Sequence, residues 1–261
     1  MIVERTEHPG WLSNAYVVAD RPGGHGVLVD GNSITEPLLD RIERDAITIT
    51  HILLTHEHGD HVADAADFKA RFGVAVVAHE ATAGALGGVV DEAIADGDVL
   101  RPGGLEIRAI ATPGHSAGHL AFLVNGSDCF TADCLFKGTV GGCRARGEVF
   151  TEHRRSIMER LMTLPPETRI HPGHREHSTI GAEWESNPFV RVWRGLDPEH
   201  AEPCRVFGED ATLVLWGPDY DGGYKAWVRF PSGEDQIVGG SRVERLYGQG
   251  TPPRATRRSP L

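Results

Sequence analysis

Short apolar runs punctuated by glycine and proline recur along the chain, and their period sets the first expectations. NAYVVA (residues 14–19) and VLVD (27–30) read as strands separated by the Pro22-Gly23-Gly24 turn. A helix follows, with Ser33 or Thr35 as its cap, Pro37 in its first turn, and Leu38, Leu39 and Ile42 on one apolar face. Residues 51–55 form a run too apolar for a sheet edge, so an interior strand is expected there. Next come a helix over about residues 62–72, stopped by Gly73, and a strand over 74–78. The second half repeats the alternation. Residues 105–111, 120–125 and 129–132 read as strands, and 151–164 as a helix carrying Ile157 and Leu161 one turn apart and ended by Pro165-Pro166. Neither half has enough helix to cover both faces of its strands, which predicts a layered α/β domain with sheets inside and helices outside.

The pattern changes after residue 200. ATLVLW, YKAWVRF and QIVGGS are strand-like runs broken by GPDYDGG and PSGED, which predicts a small antiparallel extension of three or four strands. Its aromatics, Trp216, Tyr220, Tyr224 and Trp227, are expected to form its core, the alternatives being an aromatic wall beside the mouth of an active site or a dimer contact. The division expected is a catalytic domain over residues 1–200, the β extension over 201–248, and a Pro-rich, basic, disordered tail over 249–261.

Charge narrows the partners. With 26 basic against 37 acidic residues the formal net charge is −11, which repels phosphate backbones and anionic membranes, so neither nucleic acid nor membrane is expected. Cys129, Cys134, Cys143 and Cys204 contain no C-x-x-C pair, so reduced, buried thiols are expected rather than a zinc ribbon or a disulfide framework. No signal-peptide pattern and no long apolar run is visible, so a soluble, cytoplasmic protein is expected. The oligomeric state is not legible.

The chemistry gathers at THEHGDH (residues 55–61), at the end of the expected interior strand. His56 and His58, two apart on an extended strand end, point the same way, and the turn at Gly59 brings Asp60 and His61 back towards them. Imidazole nitrogen with carboxylate oxygen suits zinc, iron or manganese, whereas magnesium and calcium prefer oxygen alone. A lone histidine is usually structural. Here further candidates follow apolar runs downstream: His115 in TPGHSAGH, Asp133 in TADCLF and His174 in HPGH. One ion does not need seven protein ligands. Two ions do, if one takes His56, His58 and His115, the other takes Asp60, His61 and His174, and Asp133 bridges them, leaving room for a shared water.

The T-H-x-H-x-D-H signature, followed by a distant His, Asp and His, resembles the metallo-β-lactamase superfamily. The TPGHSAGH, DCLF and GH segments, with SNPF at 186–189, make the sequence most similar to its glyoxalase II branch over roughly residues 10–192. The resemblance implies an αβ/βα sandwich of two mixed sheets flanked by helices. It also implies two divalent metal ions per chain, zinc first and iron or manganese as alternatives, at the sheets' shared edge. Asp133 stands at the bridging position that true β-lactamases of the cysteine type fill differently. Water's pKa, near 16 in bulk, falls to about 7 on zinc, so a metal-bound hydroxide can attack the carbonyl of a small acyl-thiol or ester substrate. Asp60 is the expected catalytic residue, orienting that hydroxide. His51, His119, Asp30 or backbone carbonyls are the expected partners that fix the imidazoles, with a plain structural hydrogen bond the alternative for His119.

The chain departs from glyoxalase II where glutathione is held. GGCRARG replaces an aromatic-containing stretch, Arg175 and His177 replace Glu and Tyr in GHREHS, and the helical C-terminal region is absent. Arg144, Arg146 and Arg175 are read either as binders of a substrate carboxylate or as solvated surface charges. Two other chemistries remain on the same scaffold: a persulfide dioxygenase with one iron held by two histidines and a carboxylate, and a lactonase.

Overall fold

Strands form where the apolar runs fall, and also at an N-terminal edge and at several short stretches that the pattern did not reveal. The structure, a computed structural model, describes residues 1–144 and 149–246; Arg146 and the 249–261 tail lie outside the described residues. Ile2–Glu7 (β1), Asn14–Ala19 (β2), His25–Val29 (β3), Thr48–Leu53 (β4), Ala75–Ala78 (β5) and Glu92–Ala93 (β6) lie side by side in that order as one sheet. β1 to β3 are antiparallel, and β3 to β6 run parallel. β1 escapes the hydrophobic pattern because it is an edge strand, IVERTE, only half-buried along most of its length.

The second sheet is also mixed. Val99–Leu100 (β7), Ile107–Ala111 (β8), Leu120–Val124 (β9) and Asp128–Ala132 (β10) are antiparallel neighbours. A small ladder of Leu135–Phe136 (β11) and Thr139–Val140 (β12) intervenes, and Arg169–Pro172 (β13) then returns parallel to β10 before Ser178–Thr179 (β14) closes the edge.

Alternation along the strands builds the layers. In β2, Tyr16 and Val18 face the second sheet and meet Leu120, Phe122 and Phe130, while Val17 faces outward to a helical layer. That layer holds Glu36–Arg44 (α1), Gly59–Val62 (α2), Ala65–Phe72 (α3) and Glu80–Leu86 (α4), with Leu38, Ile42 and Phe68 buried against the sheet. The expected helix over 62–72 is thus two pieces, and Gly73 ends the second with φ +65°. Thr35 precedes α1 without a side-chain capping bond.

On the far side, Val149–Arg155 (α5), Ile180–Ser186 (α6) and Pro188–Trp193 (α7) cover the second sheet. The expected helix over 151–164 changes winding after Arg155: Ser156–Leu161 is a π-helical segment, closed by the Met162 N–H bonding to Ile157 O at 2.8 Å.

The C-terminal strands are Glu202–Val206 (β15), Glu209–Pro218 (β16), Tyr224–Arg229 (β17), Asp235–Gly239 (β18) and Val243–Arg245 (β19), a five-stranded antiparallel sheet. Its aromatics do not form a private core. Trp227 packs on Phe150 (ring centroids 5.0 Å apart) in the helical layer, Tyr224 is exposed against Trp216, and Tyr220 leaves the sheet for the chemistry described below. The sheet's own core is built on Val206, Leu213, Val228 and Val238, with Trp216, alone of the four expected aromatics, and Phe230 packed against it. Among the described residues no helix is long and apolar enough to cross a membrane.

Candidate metal centre

The site lies where β4, β10 and β13 end. Beyond Leu53 the chain stays buried through Thr55 and His56, and His58 then begins α2, whose single turn carries Asp60 and His61 back towards His56. The return expected at Gly59 is therefore made by one turn of helix. His115 comes from the TPGH loop before β9, Asp133 from the turn after β10, and His174 from the loop after β13.

The distances sort these side chains into two groups. His58 Nδ1 is 3.1 Å from His56 Nε2 and 2.9 Å from His115 Nε2. His174 Nε2 lies 3.6 Å from Asp60 Oδ2, and His61 Nε2 lies 3.7 Å from the same oxygen. Asp133 reaches both sides: Oδ2 is 3.5 Å from His115 Nε2 and 3.4 Å from His174 Nε2, and Oδ1 is 3.3 Å from His61 Nε2. The grouping is therefore His56, His58, His115 and Asp133 on one side, and Asp60, His61 and His174 on the other.

Hydrogen bonds orient the rings from behind. Asp30, with φ +60° at the end of β3, accepts the Thr55 N–H and hydroxyl at 2.8 Å each, and sits 3.1 Å from His61 Nδ1. Since the Thr55 hydroxyl donates to Asp30, it accepts from His56 Nδ1 at 3.0 Å. His115 Nδ1 donates to Gly142 O at 2.8 Å. In each of these imidazoles the Nδ1 proton is held from behind, which leaves Nε2 as the nitrogen that faces the site and is available to a metal. His119 acts one step further out: its Nδ1 contacts Thr112 Oγ1 at 2.8 Å and its Nε2 accepts the Asp133 N–H at 3.2 Å. His51 takes no part; it bonds Thr50 on β4.

Close approach sets two glycines. A Cβ on Gly173 would stand 2.1 Å from Asp133 Oδ1 and 2.9 Å from His61 Cε1. Gly114, at φ +133°, faces the His153 backbone so closely that a Cβ would fall 2.4 Å from its Cα. The Pro-Gly-His spelling at both loops is thus steric as well as turn-forming.

Electrostatics follow from burial and neighbours. Burial lowers His56 well below the ordinary histidine range, with His61 adding to the effect, and lowers His115 to about 4. Burial works against charge on Asp133, yet His174 and His61 prevail and hold its carboxyl well below the usual range. Burial likewise opposes a charged His61, but Asp133 and Asp30 outweigh it and raise that imidazole.

Two clefts open onto the centre. One, about 520 Å³, is lined by His58, His115, Asp133, Arg144, Tyr220 and Lys225; the other, about 640 Å³, lies past Phe136 and His174 towards Arg175 and Ser186. Arg144 is exposed and makes no hydrogen bond or ion pair among the described residues. Arg175 is engaged: Nη1 meets Glu7 Oε1 at 3.1 Å and Nε donates to Tyr220 O at 3.2 Å. Tyr220 and Lys225 wall the cleft of about 520 Å³; for Tyr220 this is the alternative the sequence offered to a place in the extension's core, whereas Lys225 was missed. The signal available for Tyr220 was its place between two aspartates in the Gly-rich turn PDYDGG, where a plain connection would be polar throughout.

Residues 8–174 match the sequence profile of the Metallo-beta-lactamase superfamily. A hydroxyacylglutathione hydrolase of Rhizobium meliloti is 36% identical over 171 residues, 65% of this chain and 63% of that protein. A probable polyketide biosynthesis zinc-dependent hydrolase of Bacillus velezensis is 30% identical over 184 residues, 70% of this chain and 81% of the relative. Among solved structures, ETHE1 from Myxococcus xanthus superposes with TM-score 0.66 at 27% identity, covering 74% of this chain and 85% of its own. TTHA1623 in a di-iron-bound form gives 0.58 at 32% identity, covering 72% of this chain and 100% of its own.

Proposed function

The chain belongs to the metallo-beta-lactamase superfamily, and from that premise we propose that it is a metal-dependent hydrolase cleaving a small thioester or ester at a pair of divalent ions, zinc in the first instance. The observation that carries the reading is Asp133, buried between the two histidine groups, with Oδ2 3.5 Å from His115 Nε2 on one side and 3.4 Å from His174 Nε2 on the other, and Oδ1 3.3 Å from His61 Nε2.

The residues suit such ions on their own chemistry. His61 Nε2, His174 Nε2 and Asp133 Oδ1 are buried and, among the described residues, without hydrogen-bond partners. Left so, each would forfeit roughly 1–3 kcal/mol of solvation. His56, His58 and His115 present three ring nitrogens to one point, more lone pairs than their own N–H groups can satisfy. A tetrahedral ion with bonds of about 2.0–2.1 Å holds its ligand atoms roughly 3.3 Å apart, close to the 2.9 and 3.1 Å found.

In this reading His56, His58 and His115 would hold one ion, Asp60, His61 and His174 the other, with Asp133 between them. When bound, the ions would supply an acidified water and polarisation of the substrate carbonyl. Asp60, less buried than His61 and His174, would orient the attacking water through a carboxylate oxygen. Asp30, Thr55 and Gly142 keep the Nδ1 protons of His61, His56 and His115 away from the substrate. A departing thiolate needs little protonation, so no dedicated acid is required. Arg144, free at the rim, takes a carboxylate of the carrier, whereas Arg175 holds the Tyr220 wall.

Metal analysis of purified protein, combined with turnover of lactoylglutathione, other acyl-thiol conjugates and acyl lactones, tests this. About two ions per chain and cleavage of an acyl-thiol are expected. Two ions with no cleavage of any member removes the substrate claim. One iron, with oxygen uptake and sulfite formation, would instead establish the dioxygenase chemistry.

A further inference from the structure

Three of the histidines facing the centre have their remote nitrogen fixed: His56 by Thr55, His61 by Asp30 and His115 by Gly142. His58 is exposed, so its remote side reaches solvent. His174 differs from all of them. It is buried, its Nε2 is turned to Asp60 and Asp133, and among the described residues its Nδ1 has no hydrogen-bond partner. Outer partners of metal-binding imidazoles usually carry a factor of about 10–100 in metal affinity, so an imidazole without one needs another means of holding its ring.

Tyr220 provides a ring face. It stacks on His174 with centroids 4.2 Å apart and planes 16° from parallel. Phe136 meets the same imidazole edge-on at 5.6 Å and braces Tyr220 at 5.0 Å. Tyr220 lies in the β16–β17 turn, outside the 8–174 stretch that matches the family.

The turn is built around that tyrosine. Asp219 accepts the Tyr220 N–H at 2.8 Å and pairs with Lys225 Nζ at 3.1 Å, with both side chains under a tenth exposed. The Asp219 N–H bonds Gly223 O at 3.0 Å, and the Gly222 N–H returns to Asp219 O at 3.2 Å. From the catalytic layers, Arg175 reaches over from Glu7 to grip Tyr220 O. A buried ion pair is costly to desolvate, and a turn that merely joined two strands would have no need of one.

We propose that Tyr220 is a positioning residue for His174, so that the C-terminal sheet completes the Asp60–His61–His174 half of the metal centre by ring stacking where the other buried histidines use hydrogen bonds. The inference rests on the two-ion reading above, and its test reads metal binding instead of hydrolysis.

The metal-free full chain is titrated with cobalt(II), followed by its d–d absorption and by competition with a chelator. Wild type is expected to take two ions. Tyr220→Ala should bind the first ion as wild type does and the second about 10- to 100-fold more weakly. Tyr220→Phe, which keeps the stack, should match wild type. If the alanine variant fails to fold, Tyr220→Leu, which keeps bulk without a ring face, carries the same expectation. Two ions in wild type with unchanged affinities in Tyr220→Ala would overturn this proposal alone. So would equal weakening of both ions, which signals a loosened fold, or a Tyr220→Phe variant as weak as alanine. A wild-type chain holding one ion or none removes the two-ion reading, and this proposal with it.

Discussion

At the residue scale, the site was legible in sequence wherever ligand chemistry coincided with a strand end. His56, His58, Asp60 and His61 fall within six residues, and His115 and His174 each follow a Pro-Gly turn, so chemistry and local geometry pointed to the same positions. The stacking of Tyr220 on His174 was illegible because it depends on a distant turn folding back across the chain, and no local period encodes that. The difference between ligand and bystander can be tested on histidines. His58→Ala should lose at least one bound ion and lower kcat/KM by well over 100-fold, since ligand loss exceeds the effect of losing an outer partner. His51→Gln, altering a histidine whose side chain bonds Thr50 on β4 and, among the described residues, none of the metal-site groups, should leave both unchanged within about twofold. Metal analysis and steady-state kinetics on the two variants decide it, and equal behaviour would remove the assignment of His58.

At the element scale, interior strands were readable and edges were not. β2 and β3 are largely apolar and buried on both faces, and β4 ends in the buried Ile52-Leu53, whereas β1 carries Glu4, Arg5 and Glu7 along a half-open edge and left no signal. The break of the expected 151–164 helix into α5 and a π-helical segment has a tertiary cause: Ser156 Oγ donates to Pro113 O at 2.7 Å, and His153 packs on Gly114, so this stretch buttresses the loop that carries His115. The β10–β13 pairing has its own electrostatic clamp. Burial disfavours charge on Asp128, but hydrogen bonds from His171, Ser127 and Arg169 win and bring it to about 2. An aspartate lowered from its unfolded value of about 3.9 stabilises the fold above that pH, and the contribution drains away as pH falls towards about 2. Asp128→Asn should therefore cost on the order of 2 kcal/mol at neutral pH. It should also flatten the loss of stability that wild type shows between about pH 4 and 2. Urea midpoints measured across that range check both, and parallel pH curves for the two proteins would exclude the clamp.

At the scale of the whole molecule, the question is whether the C-terminal sheet is an appendage or part of the fold that carries the chemistry. Composition argued for an appendage, since the strand runs after residue 203 look self-sufficient. Packing argues otherwise. Leu215, Trp227 and Ile237 lie in the same buried cluster as Phe150, Ile157, Phe189 and Trp193, so the sheet and the helical layer share one apolar interior. A second seam runs through backbone: Cys143 and Ile237 exchange N–H···O bonds of 2.9 and 3.0 Å, tying β18 to the segment that also supplies Gly142 behind His115. Separately stable units unfold separately, whereas units sharing a core unfold together. Trp227→Ala empties a volume flanked by Phe150 and Trp193 and should cost about 3–5 kcal/mol. Because the core is shared, that loss should move a single calorimetric transition of the entire chain to lower temperature. It should also weaken metal binding, because ions that favour only the native state report on every element that maintains it. A scan with two resolved transitions, of which Trp227→Ala shifts one alone, would mean that the sheet folds by itself and that its contribution of Tyr220 to the centre is made by docking after folding.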